Sequence, residues 1–204
     1  MNLHSASSNV SRETLDRLHA YADLVRRWNP RINLVAASTL SDLWERHVVD
    51  SMQVFDHADR TATTWADLGS GGGLPGIVCA ILALELMPDC SFTLVESDKR
   101  KAAFLLVCKQ EFALNLTVRI ERAERLAPLS AQIVSARALA PLPQLLPLVA
   151  RHIAPGGCAL LPKGKNHAAE LEAARAEWHF QVTSHVSTTD ASARILALKD
   201  IQRV

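Results

Sequence analysis

The segment TTWADLGSGGGLPGIV, residues 63–78, constrains this chain more than any other. An apolar run leads to Asp67, a glycine-dense turn follows, and a second apolar run opens behind Pro75. That order reads as strand, tight loop and helix, with proline in the first helical turn, where its missing N–H costs nothing. Glycine has no Cβ, so a loop of this kind brings backbone close to a bound molecule.

Two ligand patterns overlap in the loop. Gly71, Gly73 and Gly76 spell G-x-G-x-x-G, the dinucleotide fingerprint. Asp67, Gly69, Gly71 and Gly73 spell D-x-G-x-G-x-G, the pattern of S-adenosylmethionine (SAM) methyltransferases. Asp67 favours the second. A pyrophosphate prefers a helix N-terminus with no carboxylate beside it, whereas the ammonium and sulfonium of SAM suit one. Glu96 ends the next apolar run, SFTLVE, where a ribose-binding acid belongs in either pattern. It supports a nucleoside ligand without separating the two.

The rest of the chain alternates in the same way. Strands are predicted near 64–68, 91–96, 116–121, 132–136 and 157–162, and helices near 75–86, 98–113, 141–153 and 166–177. The tail reads as two more strands, WHFQVTSHV and SARILALKD. Alternating β and α segments imply a parallel sheet with right-handed crossovers. By analogy of fold, a closing antiparallel pair would make it the seven-stranded, Rossmann-like sheet of SAM-dependent methyltransferases. Residues 1–60 read as a helical extension ahead of this domain (61–204). Leu15, Leu18, Ala22, Val25 and Trp28 recur at helical spacing behind a Ser11 N-cap, and Asn29-Pro30 ends the helix. A second helix is predicted from about Ser41 to His57.

A chain of 204 residues is long enough for one such domain plus an extension. No apolar run reaches the roughly 18 residues of a transmembrane helix, and the N-terminus has no basic-then-apolar leader pattern. Cys79, Cys90, Cys108 and Cys158 are scattered without a C-x-x-C pair, the pattern of reduced buried thiols. A cytoplasmic protein without a membrane segment is expected. The net charge of +1 neither demands nor excludes nucleic acid.

In an open α/β sheet, ligands sit at the carboxyl ends of the strands. Those ends carry Asp67 and the glycine loop, then Glu96, then Arg122-Ala123-Glu124, then Arg137-Ala138, then Lys163-Gly164-Lys165. No Asp or Glu occurs from Arg125 to Ala169, a stretch holding Arg125, Arg137, Arg151, Lys163, Lys165, His152 and His167. A basic face beside the reaction site is expected there, with Lys163 and Lys165 contacting phosphate. The extension is not a basic arm, since residues 1–60 carry seven Lys/Arg against eight Asp/Glu.

Several chemistries leave no trace. The chain lacks N-P-P-Y or D-P-P-Y after the fourth strand, a Pro-Cys nucleophile, a Ser-His-Asp set and a histidine–carboxylate spacing for a metal. An acceptor with its own lone pair, such as guanine N7, needs neither base nor nucleophile, only alignment with the methyl donor. In the second helix, RHVVDS offers an i, i+4 ion pair between Arg46 and Asp50 and places His47, Asp50 and Ser51 on one face. That face either serves the helix alone or orders the neighbouring cleft.

Trp28-Asn29, Asn33-Leu34, RHVVDS, DLGSGGGLPG, VESDKRKAAFL, Arg122-Ala123-Glu124, Arg137-Ala138 and Lys163-Gly164 occur in this order. Together they resemble the ribosomal RNA small subunit methyltransferase G family, also called glucose-inhibited division protein B. The resemblance runs from about residue 20 to the C-terminus, with one departure at Val35, where the family usually has Thr. It implies a SAM-dependent enzyme that methylates guanine N7 in the decoding region of 16S rRNA, free or within the small ribosomal subunit. It also implies that Gly69 and Leu74 contact the cofactor, Glu96 holds the ribose, Ala123 and Glu124 border the adenine, and Arg137 lies by the methionine part and the target base. From the residues alone, a small NAD-dependent reductase and a noncatalytic SAM- or nucleotide-binding regulator stay open.

Overall fold

The computed structural model describes residues 9–204. The first eight residues, which include the start of the predicted extension and of the N-terminal stretch read for a leader, lie outside them. Seven strands form one sheet in the order β3-β2-β1-β4-β5-β7-β6. They are β1 (Thr64–Leu68), β2 (Ser91–Val95), β3 (Leu116–Arg119), β4 (Ala131–Ser135), β5 (Ile153–Lys163), β6 (Trp178–Val186) and β7 (Arg194–Arg203). The first five run parallel. β7 pairs antiparallel with β5 and with β6, which closes the sheet as expected. The strand order reverses between β1 and β4, and a crevice opens at such a switch point.

β1 is central and buried on both faces, which is why its sequence is an apolar run without alternation. Trp65 packs into one face with α3 (Gly76–Leu86) and α4 (Lys99–Glu111), while Ala66 and Leu68 pack into the other with α5 (Leu142–His152) and α6 (His167–Arg175). The N-terminal helices share the first of these layers. Leu18, Tyr21 and Val25 of α1 (Arg12–Ile32) and Phe55 of α2 (Asp50–Asp56) belong to the same buried cluster as Trp65, Ile77 and Phe104. The break near residue 60 is therefore a change of element type within one continuous core.

Ser11 caps α1 as predicted, its hydroxyl accepting from the Thr14 N–H at 3.2 Å. The predicted stop at Asn29-Pro30 is corrected: α1 continues to Ile32. Pro30 and Arg26 are exposed, so the backbone bond that proline removes lies on the solvated side of the last turn. The helix ends at Asn33, in the left-handed conformation with φ 49°, whose N–H bonds the Asn29 carbonyl.

The second predicted helix also differs. It opens as a π-helical segment, Trp44–Val49, before continuing as α2. A π turn stacks residues five apart, which takes positions four apart off a common line. The expected Arg46–Asp50 pair does not form; Asp50 lies 3.6 Å from Arg137 instead.

Candidate functional site

The glycine loop adopts backbone angles that side chains rarely accept. Gly69, Gly71 and Gly73 have φ of 66°, 55° and 86°. At Gly73 a Cβ would run into Ile77, so that glycine closes the turn against α3. At Gly71 the nearest heavy atom to a Cβ would be the Gly69 carbonyl oxygen, 3.8 Å away, so its open side faces free space. The buried Tyr21 hydroxyl donates to the Gly72 carbonyl at 2.6 Å and ties α1 to the loop. Burial raises its pKa well above the ordinary phenol value. The chain's only tyrosine is thus a strut.

Two clefts lie at this end of the sheet, and the glycine loop lines one of them. The smaller, about 240 Å³, is lined by Gly69, Gly71, Glu96, Ala123 and Glu124, with Lys101 and Arg122 at its edge. The larger, about 940 Å³, is lined by Arg137, Lys163, Arg46, Asp50, Asp190 and Arg194 among others. Ala138 and Leu139 line both. Ala138 sits at φ 53°, an uncommon angle for a residue with a Cβ, and turns the chain so that Leu139, 40% exposed, lies against Gly69. The ridge between the clefts is therefore the β4–α5 loop itself.

Glu96 accepts from the Gly71 N–H at 2.8 Å and from the Asp98 N–H at 2.7 Å. A carboxylate has about four lone-pair sites, so each oxygen can still accept a further hydrogen bond. Asp98 caps α4 by accepting from the Arg100 N–H at 2.8 Å. Ala123 is held from behind by His152, fully buried, whose Nε2–H donates to its carbonyl at 2.9 Å.

Asp67 is not on a cleft wall. It is 1% exposed, and its Oδ1 accepts from Ser135 Oγ at 2.6 Å, which in turn accepts from Trp65 Nε1 at 2.8 Å. Its Oδ2 lies beside Gly76, whose backbone N–H acts with the serines to lower its pKa, though at a geometry too poor for a full hydrogen bond. Burial pushes its carboxyl up to about 6, against the hydrogen bonds from Ser135 and Ser70, which lower it. Asp67, expected among the cofactor-binding residues, reaches neither cleft: β1 is central, so its end is covered on both faces. Gly73 and Leu74, buried against the core, line neither cleft in this structure.

The expected basic face is also corrected. Lys163 Nζ donates to the Ala140 carbonyl at 2.8 Å and pairs with Glu170 at 3.0 Å, with its side chain 8% exposed. Arg151 Nε donates to the Leu126 carbonyl. Arg137 faces Asp50. The stretch free of acids along the chain meets acids in space, from α2 before it and from Glu170 just after it. Lys165 stands exposed in the turn after β5, outside both clefts.

Arg137 follows β4, and its side chain is 18% exposed. One guanidinium nitrogen, Nη1, meets both partners, His47 Nδ1 at 3.0 Å and Asp50 Oδ2 at 3.6 Å. Burial lowers the Arg137 pKa, and Asp50 opposes that. Asp50 Oδ1 accepts from Thr189 Oγ1 at 3.2 Å and Ser187 Oγ at 3.4 Å, and Gln53 Oε1 accepts from the Thr188 N–H at 2.7 Å. These bonds fasten the β6–β7 loop to α2 as the far wall of the larger cleft. Sequence reading had placed His47 and Asp50 on one face; their common partner lies ninety positions away from His47 and is invisible to local spacing. Among the described residues, no cluster of histidine, cysteine and acid groups could hold a metal.

Comparison with known proteins follows the same outline. Solved structures share the fold. TomG, an O-methyltransferase from Streptomyces achromogenes in complex with SAM, aligns with a TM-score of 0.55 at 15% identity, over 90% of this chain and 89% of that one. The Thermus thermophilus 16S rRNA N2 G1207 methyltransferase, in complex with AdoMet and guanosine, aligns with a TM-score of 0.52 at 19% identity, over 76% of this chain and 39% of that one. At these identities the likeness is one of fold. Closer relatives are found by sequence. Proteins named ribosomal RNA small subunit methyltransferase G from Cereibacter sphaeroides and Ruegeria pomeroyi are 52% and 50% identical over 196 residues. Those alignments cover 96% of this chain, and 94% and 96% of the two relatives. The family model described as rRNA small subunit methyltransferase G matches residues 14–198, from within α1 to within β7, and the chain belongs to that family.

Proposed function

We propose that this protein transfers a methyl group from SAM to N7 of a guanine in 16S rRNA. One observation carries the reading. The glycine loop with Glu96 faces one cleft and Arg137 faces the next, and the two meet at the Ala138–Leu139 ridge.

The residues fit the cofactor. The smaller cleft alone lies below the roughly 300–1,000 Å³ of ordinary small-molecule sites, so it takes the nucleoside end and leaves the methionine end to cross the ridge toward Arg137. Gly71 leaves backbone free for close approach, Glu96 has lone pairs for the ribose hydroxyls, and Ala123 and Glu124 flank the base. Gly69 and Leu74 shape the loop, and Gly73 and Asp67 support it from the core. Arg137, with Asp50 and His47 behind it, turns its remaining N–H groups to the larger cleft, where a cofactor carboxylate or the acceptor base is within reach.

SAM supplies an electrophilic methyl on a sulfonium. The guanine N7 lone pair forms the new N–C bond as the S–C bond breaks and its electron pair returns to sulfur. No proton leaves the acceptor, so the protein's part is orientation and charge placement. Arg46 and Arg194 at the cleft wall, with exposed Lys165 beyond it, are the cations left to meet phosphates of the incoming strand. Lys163 instead braces the end of β5 against Ala140 and α6. The reaction takes place in the cytoplasm, on 16S rRNA or on the small subunit that contains it.

The test is methyl transfer from labelled SAM to small ribosomal subunits and to naked 16S rRNA, followed by chemical cleavage at N7-methylguanosine. Label at a single guanine, cleavable as the N7-methyl base, is expected. Label on another atom, or SAM binding without transfer to either substrate, overturns the reading in favour of another acceptor or of a regulator.

A further inference from the structure

Arg137 has two inner partners of different character. Asp50 is a charged acceptor at 3.6 Å, and His47 is an imidazole nitrogen at 3.0 Å. The bonds around His47 run in one sense. Thr39 Oγ1 donates to the Ala36 carbonyl at 2.8 Å, so its oxygen is left to accept. His47 Nε2 lies 2.8 Å from that oxygen and supplies the proton. Nδ1 is then the bare nitrogen, and it faces an Arg137 N–H, which can only donate. The neutral Nε2–H tautomer is the one state that satisfies all three bonds.

We propose that His47 is a positioning residue for methyl transfer: its neutral imidazole accepts an inner N–H of Arg137 and so fixes the direction in which the guanidinium faces the larger cleft. This rests on the role of Arg137 proposed above.

The local structure favours that task. His47 sits in the π-helical segment, a feature frequent at functional sites, and the segment is followed directly by Asp50. Asp50 alone balances the charge of Arg137 but leaves a planar fork free to swing about a single contact 3.6 Å away. A second carboxylate would leave net negative charge behind the cleft. A neutral nitrogen acceptor takes the other N–H of the same Nη1, which sets the plane of the guanidinium, and adds no charge. Burial and the flanking Arg137 and Arg46 lower the imidazole to about 4, which keeps it neutral at the pH of the reaction. His47 also tethers the π-helical segment to the Ala37–Thr39 turn, and a purely structural role would work through that bond alone.

Two isosteres separate the roles, because each keeps one nitrogen's function. His47→Asn places an amide oxygen near Nδ1 and loses the bond to Thr39. His47→Gln places an amide near Nε2 and loses the acceptor for Arg137. With the full-length protein and small ribosomal subunits, His47→Gln is expected to lower kcat by about tenfold to a hundredfold, the scale of a misplaced positioning group, with its melting temperature near wild type. His47→Asn is expected to keep kcat near wild type while its melting temperature falls. The cofactor-free protein gives an independent readout: nitrogen NMR of labelled histidine should show His47 with Nε2 protonated and Nδ1 bare.

Wild-type kcat in His47→Gln overturns the proposal whether or not the asparagine variant folds. So does the reverse ranking of two folded variants, or an Nδ1–H tautomer. Arg137→Ala is the control. If it keeps wild-type kcat and SAM affinity, the reading of Arg137 itself falls. If it loses both while His47→Gln does not, only the positioning role falls.

Discussion

The two clefts on either side of the Ala138–Leu139 ridge are built differently. The smaller is made from the ends of neighbouring strands β1, β2 and β3, and each contributes a short run: the glycine loop, Glu96 with Ser97, and 121–124. The larger collects Arg46 and Asp50 from before the sheet, Arg137 to Pro141, Lys163 and Glu170, and 187–195 from the last hairpin. In the first, backbone conformation makes the site, and glycine is its visible mark. In the second, pairs of charges distant in the chain decide which side chains face the ligand. A motif can therefore announce a cleft built from backbone, while a cleft built from paired charges depends on who pairs with whom.

The largest effect should come from the cofactor side. Gly71→Val puts a β-branched residue at φ 55° and aims its side chain into open space beside the loop. It should abolish SAM binding by calorimetry, at a cost to the fold of about 1–2 kcal/mol from left-handed strain. Wild-type affinity in the folded variant would break the assignment of the smaller cleft. Glu96→Ala removes a lone-pair donor to the ligand and leaves the Gly71 N–H unpaired. A loss of about 1.5–3 kcal/mol in SAM affinity is expected, the range for a bond to a charged group. An unchanged dissociation constant would mean that Glu96 serves only the loop.

On the acceptor side the comparison predicts that two neighbouring lysines behave unlike each other. Lys163→Ala strands the Ala140 carbonyl and Glu170, so it should cost about 1–3 kcal/mol of stability in urea titration. The salt dependence of RNA binding should stay as in wild type. Lys165→Ala should leave stability alone and lower the log–log salt slope by about one. If Lys163→Ala lowers the slope instead, the pair with Glu170 opens when RNA binds, and Lys163 is a phosphate contact after all.

The smallest effect is a change of pH slope. The Asp67 carboxyl is raised from 3.8 to about 6. Across that window the native chain keeps a proton that the unfolded chain releases, so rising pH weakens the fold. The His47 imidazole is lowered from 6.5 to about 4, so there the unfolded chain binds the extra proton and rising pH strengthens the fold. The two oppose each other over most of the same range. Asp67→Asn keeps an oxygen for Ser135 and removes the first contribution, so its urea midpoint should climb with pH more steeply than wild type between about 4 and 6. Parallel curves would show that Asp67 is ionised throughout, held by Ser135, Ser70 and the Gly76 N–H against its burial.

The sequence by itself determined the sheet and the loop at the end of β1. Those depend on apolar periodicity, glycine and the order of elements, all local along the chain. It determined Ser11 as a cap, because the capped N–H lies three residues on. It ended the first helix too early, at Asn29-Pro30, because whether a proline ends a helix depends on how that side is solvated. Only the tertiary structure decided that Asp67 is covered, that Tyr21 braces Gly72, that Lys163 is spent on Glu170, and that His47 and Asp50 converge on Arg137. Each of these is a pairing between groups far apart in the chain, and a charge or hydrogen bond acts through space over a few ångströms, whatever the number of residues between.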